Sequence, residues 1–99
     1  MRCAAEIVVG VVLIRLFVRN SRSLKAKRRV VRSVKDNLRQ KFNVAVAEVG
    51  AQNNRQIAEL GLATVSWDRS VVEGTMEAVR SYLERQPQAA LSALEWEFF

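Results

Sequence analysis

No histidine occurs in this chain, and cysteine occurs once, at Cys3. The first absence removes imidazole as a general base, so histidine-dependent triads and imidazole metal sites are excluded. The second removes any internal disulfide and any thiolate cluster. Cys3 stands ahead of the first apolar run with no partner group, so it is expected to be neither catalytic nor structural, and a lone thiol fits a reducing cytoplasm.

Glycine is scarce too. Gly10, Gly50, Gly61 and Gly74 stand apart from one another, so there is no glycine-rich phosphate loop. Proline occurs once, at Pro87, and no low-complexity tract marks a linker. The longest apolar run, "IVVGVVLI" at 7–14, is far short of the roughly 20 residues a membrane-spanning helix needs. Glu6 precedes it, Arg15 and Arg19 follow closely, and no small-residue cleavage site succeeds it, so a signal peptide is not expected either. Nothing in the pattern implies a cofactor or a metal, and no membrane partner is expected.

What is present is a chain of 99 residues, 49 % hydrophobic and 26 % charged, the composition of one globular domain over 1–99. The charge is unevenly placed. "SRSLKAKRRVVRSVKDNLRQKF" at 21–42 holds nine of the 16 basic residues and one of the 10 acids, Asp36. That segment carries +8, and the remainder, with seven bases and nine acids, carries −2. The whole excess of +6 therefore belongs to one stretch, and a positive field of this kind attracts polyanions.

Residues 5–18 are rich in β-branched side chains and predict a strand. Val8, Val12, Ile14, Leu16 and Val18 alternate with Ile7, Val9, Val11 and Leu13, so both faces are apolar and the strand is expected to be central. A polar turn follows, and Ser23 caps a helix over 24–41. At about 100° per residue, Leu24, Val30, Val31, Val34 and Leu38 share one arc of about 120°, a core-facing stripe. "FNVAVAEV" at 42–49 predicts a second strand and "QIAELGLATVS" at 56–66 a third, joined through a polar connection. Asp68 or Ser70 caps a second helix over 70–85, which Pro87 ends, and "AALSALEWEFF" supplies the fourth strand. In that last strand, alternation places Leu91, Ala93, Glu95 and Glu97 on one face and Ala90, Ser92, Leu94, Trp96 and Phe98 on the other. The order β-α-β-β-α-β, with right-handed crossovers, predicts an α+β ferredoxin-like split β-α-β-β-α-β sandwich. It has a four-stranded antiparallel sheet, strands one and three central, and two helices on one face.

The stretches "SRSLKAKRRVVRSVKDNLRQKFNVAVAEV" and "AELGLATVSWDRSVVEGTMEAV" resemble the YlxP-like family, a domain of unknown function numbered 503. The resemblance covers nearly the whole chain and rests on the S-L-K-x-K-R-R run and the N-V-x-V-A-E-V strand. It implies a small bacterial cytoplasmic protein of ferredoxin-like fold, whose genes are often found beside translation and ribosome-maturation factors. It implies no established activity. The chain departs from the family at "GAQNNRQ", where relatives tend to have an Asp-His-Gln segment and a Trp, the latter matching Arg55.

The basic helix is the strongest functional candidate. Lys25, Arg28, Arg29, Arg32, Lys35 and Arg39 fall within about 120° of one another beside the apolar arc. An ordinary solvent face mixes signs, whereas Lys25/Arg29 and Arg28/Arg32 are repelling i,i+4 pairs, each costing a few tenths of a kcal/mol. A polyanion would offset that cost, and arginine suits bidentate phosphate contact. With Arg22, these residues form the candidate nucleic-acid surface, and structured RNA or the ribosome is the expected partner. A solvated basic face, or one neutralised by acids of another subunit, is the plainer account. A membrane fits poorly, because the helix's apolar stripe is needed by the core.

Ile7, Val9, Val11 and Leu13 form an aliphatic outer face with nothing to stack on a base, which argues against an RNA-recognition-type sheet. Such a face is better covered by a second subunit, giving a homodimer through the sheet. Lys27 falls inside the apolar arc, either as a desolvated amine acting on a substrate or, more simply, as a snorkelling stem. Ser21 and Ser23 precede the helix and could hold a phosphate, although capping explains them more cheaply. Glu48 and Glu59 lie on strands expected to pair; they could share a metal or a proton, or serve as edge charges. The alternative to an RNA-binding protein is a self-associating regulatory or small-ligand module, with the basic helix docking on acids such as Glu95 and Glu97 of a neighbour. No enzyme activity is expected.

Overall fold

The structure, a computed structural model, describes residues 6–99; Cys3 lies outside them. Six elements follow in the order β1 (Val8–Val18), α1 (Leu24–Lys41), β2 (Ala45–Gly50), β3 (Ile57–Ser66), α2 (Arg69–Glu84) and β4 (Ala89–Phe98). The strands form one antiparallel sheet in the order β2-β3-β1-β4. This is the expected ferredoxin-like split β-α-β-β-α-β sandwich, with β1 and β3 central. α1 lies over β2, and α2 over β1, β3 and β4. No described helix is long and apolar enough to cross a membrane.

Alternation along β1 builds the core. Val12, Ile14, Leu16 and Val18 are buried beneath the helices and meet Val31, Val34 and Leu38 of α1 and Val72, Met76, Val79 and Leu83 of α2. Gly10 lets α2 approach closely: a Cβ there would stand 2.6 Å from both Met76 Sδ and Val72 Cγ1.

Several boundaries shift. α1 begins and ends as expected, since the Ser23 hydroxyl accepts from the Ala26 amide at 3.0 Å. Phe42, expected to open the second strand, instead closes α1 by donating its amide to Leu38 O, and the strand begins at Ala45. Asp68 caps α2, its carboxylate accepting from the Ser70 amide, so the helix starts at Arg69. In β4 a bulge displaces the register between Leu91 and Ala93. The expected alternation fails there: Leu91 joins Leu94, Trp96 and Phe98 against the core, while Ala90 pairs with outward-facing Phe17. Ser92, the extra residue, donates its hydroxyl to Arg15 O at 3.1 Å, so the carbonyl at the bulge keeps a partner.

Candidate nucleic-acid interface

The apolar stripe of α1 fixes which way its cations point. With Val31, Val34 and Leu38 buried, Lys25, Arg28, Arg29 and Arg32 stand exposed and together line one open depression of about 480 Å³. No acid lines it. Lys35 is half-buried, and Arg39 is already engaged, donating to Val46 O of β2 at 2.9 Å and to Asp36 at 3.4 Å. The free positive charge thus concentrates in the N-terminal half of the helix, with Arg22 just before its cap.

Four other basic residues have partners within the domain. Arg15 pairs with Glu59 and Arg69 with Glu73. The Arg69 guanidinium lies over the Phe98 ring, Arg80 over Trp96, and the Lys41 ammonium over Tyr82. Among the described residues, Arg22, Lys25, Arg28, Arg29 and Arg32 form no ion pair.

Lys27 is neither a snorkelling stem nor an amine presented to a substrate. Its side chain is wholly buried, its ammonium donates to Ala51 O at 2.6 Å, and Glu48 Oε2 lies 3.4 Å away. The lysine ties the first turn of α1 to the β2–β3 connection. Glu48 and Glu59 do not come together. Glu48 stands opposite Leu60 and faces inward; Glu59 pairs in register with Arg15 and faces outward. Among the described residues no cluster of three His, Cys, Asp or Glu could hold a metal. The inward turn of Glu48 was readable in advance: it continues the period-two series Phe42, Val44, Val46, the core-facing set of this segment.

Arg55 is the cation that charge clustering missed, because it lies far along the chain from α1. With Ser21, Arg22, Asn53, Asn54 and Gln56 it lines a second open cleft of about 490 Å³, between the β1–α1 turn and the β2–β3 connection.

The sheet's outer face carries Val9, Val11 and Leu13 in register with Val65, Ala63 and Gly61. Ile7 precedes the strand and is exposed. Val11, Ala45, Ala47, Val49, Gly61 and Ala63 surround a shallow apolar hollow of about 310 Å³. The face is not purely aliphatic: Phe17, opposite Ile57, is 39 % exposed at its end. The stretch from Val9 to Leu13 and its β3 partners nevertheless holds no aromatic, so the paired central-strand aromatics of an RNA-recognition sheet are missing.

Fold and surface together define a ferredoxin-like α+β domain with a basic first helix. The chain belongs to the family described as "Protein of unknown function (DUF503)", whose model matches residues 9–96. It is 31 % identical over 77 residues to the uncharacterized protein YlxP of Bacillus subtilis strain 168, a match covering 78 % of this chain and 84 % of that one. Among solved structures, the de novo designed protein Foldit4 superposes with a TM-score of 0.56 at 17 % identity, covering 95 % of this chain and 97 % of the design; this likeness concerns the fold alone. SnoaB, a cofactor-independent oxygenase from Streptomyces nogalater, covers 96 % of this chain and 92 % of its own at 14 % identity, with a TM-score of 0.45, too loose a likeness to carry a functional argument.

Proposed function

We propose that this protein binds structured RNA or ribosomal particles through the N-terminal half of α1, as a binding protein and not an enzyme. The observation that supports this most directly is the depression lined by Lys25, Arg28, Arg29 and Arg32 alone. Four cations with no acid between them repel one another, at a few tenths of a kcal/mol per i,i+4 pair. Phosphates would relieve that repulsion. Lysine and arginine offer donors and no acceptor, the complement of a phosphate oxygen, and contacts of this kind follow backbone shape and not base sequence. Such a partner places the protein in the cytoplasm. Homodimerisation through the outer sheet face accompanies this reading, supported by the exposed Val11, Leu13 and Phe17 of that face and by the apolar hollow that Val11 borders.

The test is release by salt. The native protein should co-sediment with ribosomal subunits at low salt and leave them at high salt. If four phosphates are neutralised, log affinity for RNA should fall with log salt at a slope near −3 on single strands and nearer −4 on duplex. Arg28→Glu combined with Arg32→Glu should abolish binding with the fold intact, since both side chains point to solvent. Parental affinity and slope in that double variant would sink the reading. Docking of α1 on Glu95 and Glu97 of a neighbour would instead appear as salt-sensitive self-association without RNA affinity.

A further inference from the structure

The cleft between Arg22 and Arg55 differs in chemistry from the depression on α1. The α1 depression is lined only by side chains without acceptors. The cleft adds the carboxamides of Asn53, Asn54 and Gln56 to two guanidinium groups, and no acid lines it. A carboxamide carries both a donor and an acceptor. A phosphate, which accepts only, has no use for a carboxamide oxygen; a nucleobase edge, with amino and carbonyl or ring-nitrogen groups, uses both. Arginine serves either part of a nucleotide, binding the phosphate or stacking its plane on a base. The cleft, of about 490 Å³, is open to solvent.

The cleft walls are held in place. Val18 donates its amide to Gln56 O at 2.6 Å, and Lys27 Nζ anchors Ala51 O. Asn54 spends its own Oδ1 on the amides of Gln56 and Ile57, both at 2.8 Å, so it shapes the connection and leaves Asn53 and Gln56 as the side chains free to read a ligand. Neither Arg22 nor Arg55 forms an ion pair among the described residues. Arg22 lies one residue before the Ser23 cap of the basic helix, so a chain bound along α1 reaches the cleft without leaving the positive surface.

We propose that this cleft receives one unpaired nucleotide of the bound RNA, with Arg22 and Arg55 on its phosphate or base plane and Asn53 and Gln56 on its base edge. Helix α1 then supplies sequence-independent affinity and the cleft supplies base discrimination. This rests on the RNA-binding reading of α1.

The experiment uses the full chain and short labelled oligo(A), oligo(C) and oligo(U), titrated by fluorescence anisotropy at several salt concentrations, with a duplex RNA as reference. The parent should prefer one of the three by about tenfold, the size of one good amide–base pair. Asn53→Ala with Gln56→Ala should bring the three affinities together and leave the salt slope and melting temperature unchanged, because both side chains are exposed and Asn54 still holds the turn. Arg22→Ala with Arg55→Ala should weaken all three and make the slope shallower by about one. Equal parental affinity for the three, or a preference that survives the Asn53/Gln56 double variant, overturns the cleft and leaves α1 standing. Binding of duplex with no binding of single strands does the same. Absence of binding to every RNA, duplex included, overturns both.

Discussion

Lys27 and Glu48 form a buried ion pair, 3.4 Å between Nζ and Oε2, that joins the first turn of α1 to the inner face of β2. The lysine side chain is 1 % exposed and the glutamate 21 %. Glu48 Oε2 is itself buried and has no well-aligned hydrogen bond, so the ammonium is its main compensation. Removing one partner of such a pair strands the other charge. Lys27→Met should therefore cost about 3 kcal/mol, the lower end for a broken buried pair, because the partly exposed glutamate recovers some hydration. Adding Glu48→Leu should restore most of that loss. Urea denaturation of the parent, both single variants and the double variant measures the coupling; a double variant no more stable than Lys27→Met alone would contradict it.

Gly10 should tolerate no side chain. Its absent Cβ is what lets Met76 and Val72 of α2 settle on β1. Gly10→Ala should lower stability by about 1–3 kcal/mol through overpacking, read as a reduced thermal midpoint. Gly74, with nothing within 4 Å of its Cβ position, is the control: Gly74→Ala should stabilise α2 modestly, by up to about 1 kcal/mol.

Self-association should depend on Val11. The residue is 38 % exposed at the edge of the outer-face hollow, where a second copy would bury it. Sedimentation equilibrium at micromolar concentration should show a dimer or larger, and Val11→Lys should shift it toward monomer without loss of fold. A clean monomer for the parent would refute the interface.

RNA affinity and stability should separate along α1. Arg28→Ala should weaken RNA binding and reduce the salt slope by somewhat less than one unit. Arg39→Ala should act more on stability, because its guanidinium holds Val46 O at 2.9 Å. Leu38→Ala, at a fully buried position, should cost about 2–5 kcal/mol and leave affinity unchanged while the domain stays folded. Equal affinity losses from Arg28→Ala and Arg39→Ala would show that the phosphate track runs the full length of the helix.

The element order, the ferredoxin-like topology and the direction of α1 are legible from the residues alone. Those follow from local periodicity: the two-residue alternation of Val12, Ile14, Leu16 and Val18, the helical spacing of Val31, Val34 and Leu38, and the cap at Ser23. A side chain's face is set by backbone geometry within a few residues, so the stripe of Lys25, Arg28, Arg29, Arg32, Lys35 and Arg39 was legible before any folding; that Arg39 turns to Val46 O, leaving the free charge in the first half of the helix, was not. Features that depend on register and on distant segments emerge only when the sheet assembles. The bulge at Ser92 reassigned Leu91, because one extra residue reverses every face beyond it. Lys27 is buried where it meets Ala51 O and Glu48, partners that only the folded chain brings to the start of α1. The Arg22–Arg55 cleft exists because two connections, well separated in sequence, are brought side by side by the pairing of β1 with β3. No local pattern encodes such a juxtaposition; it arises from long-range strand pairing, which also gives Arg55 a place beside the basic helix.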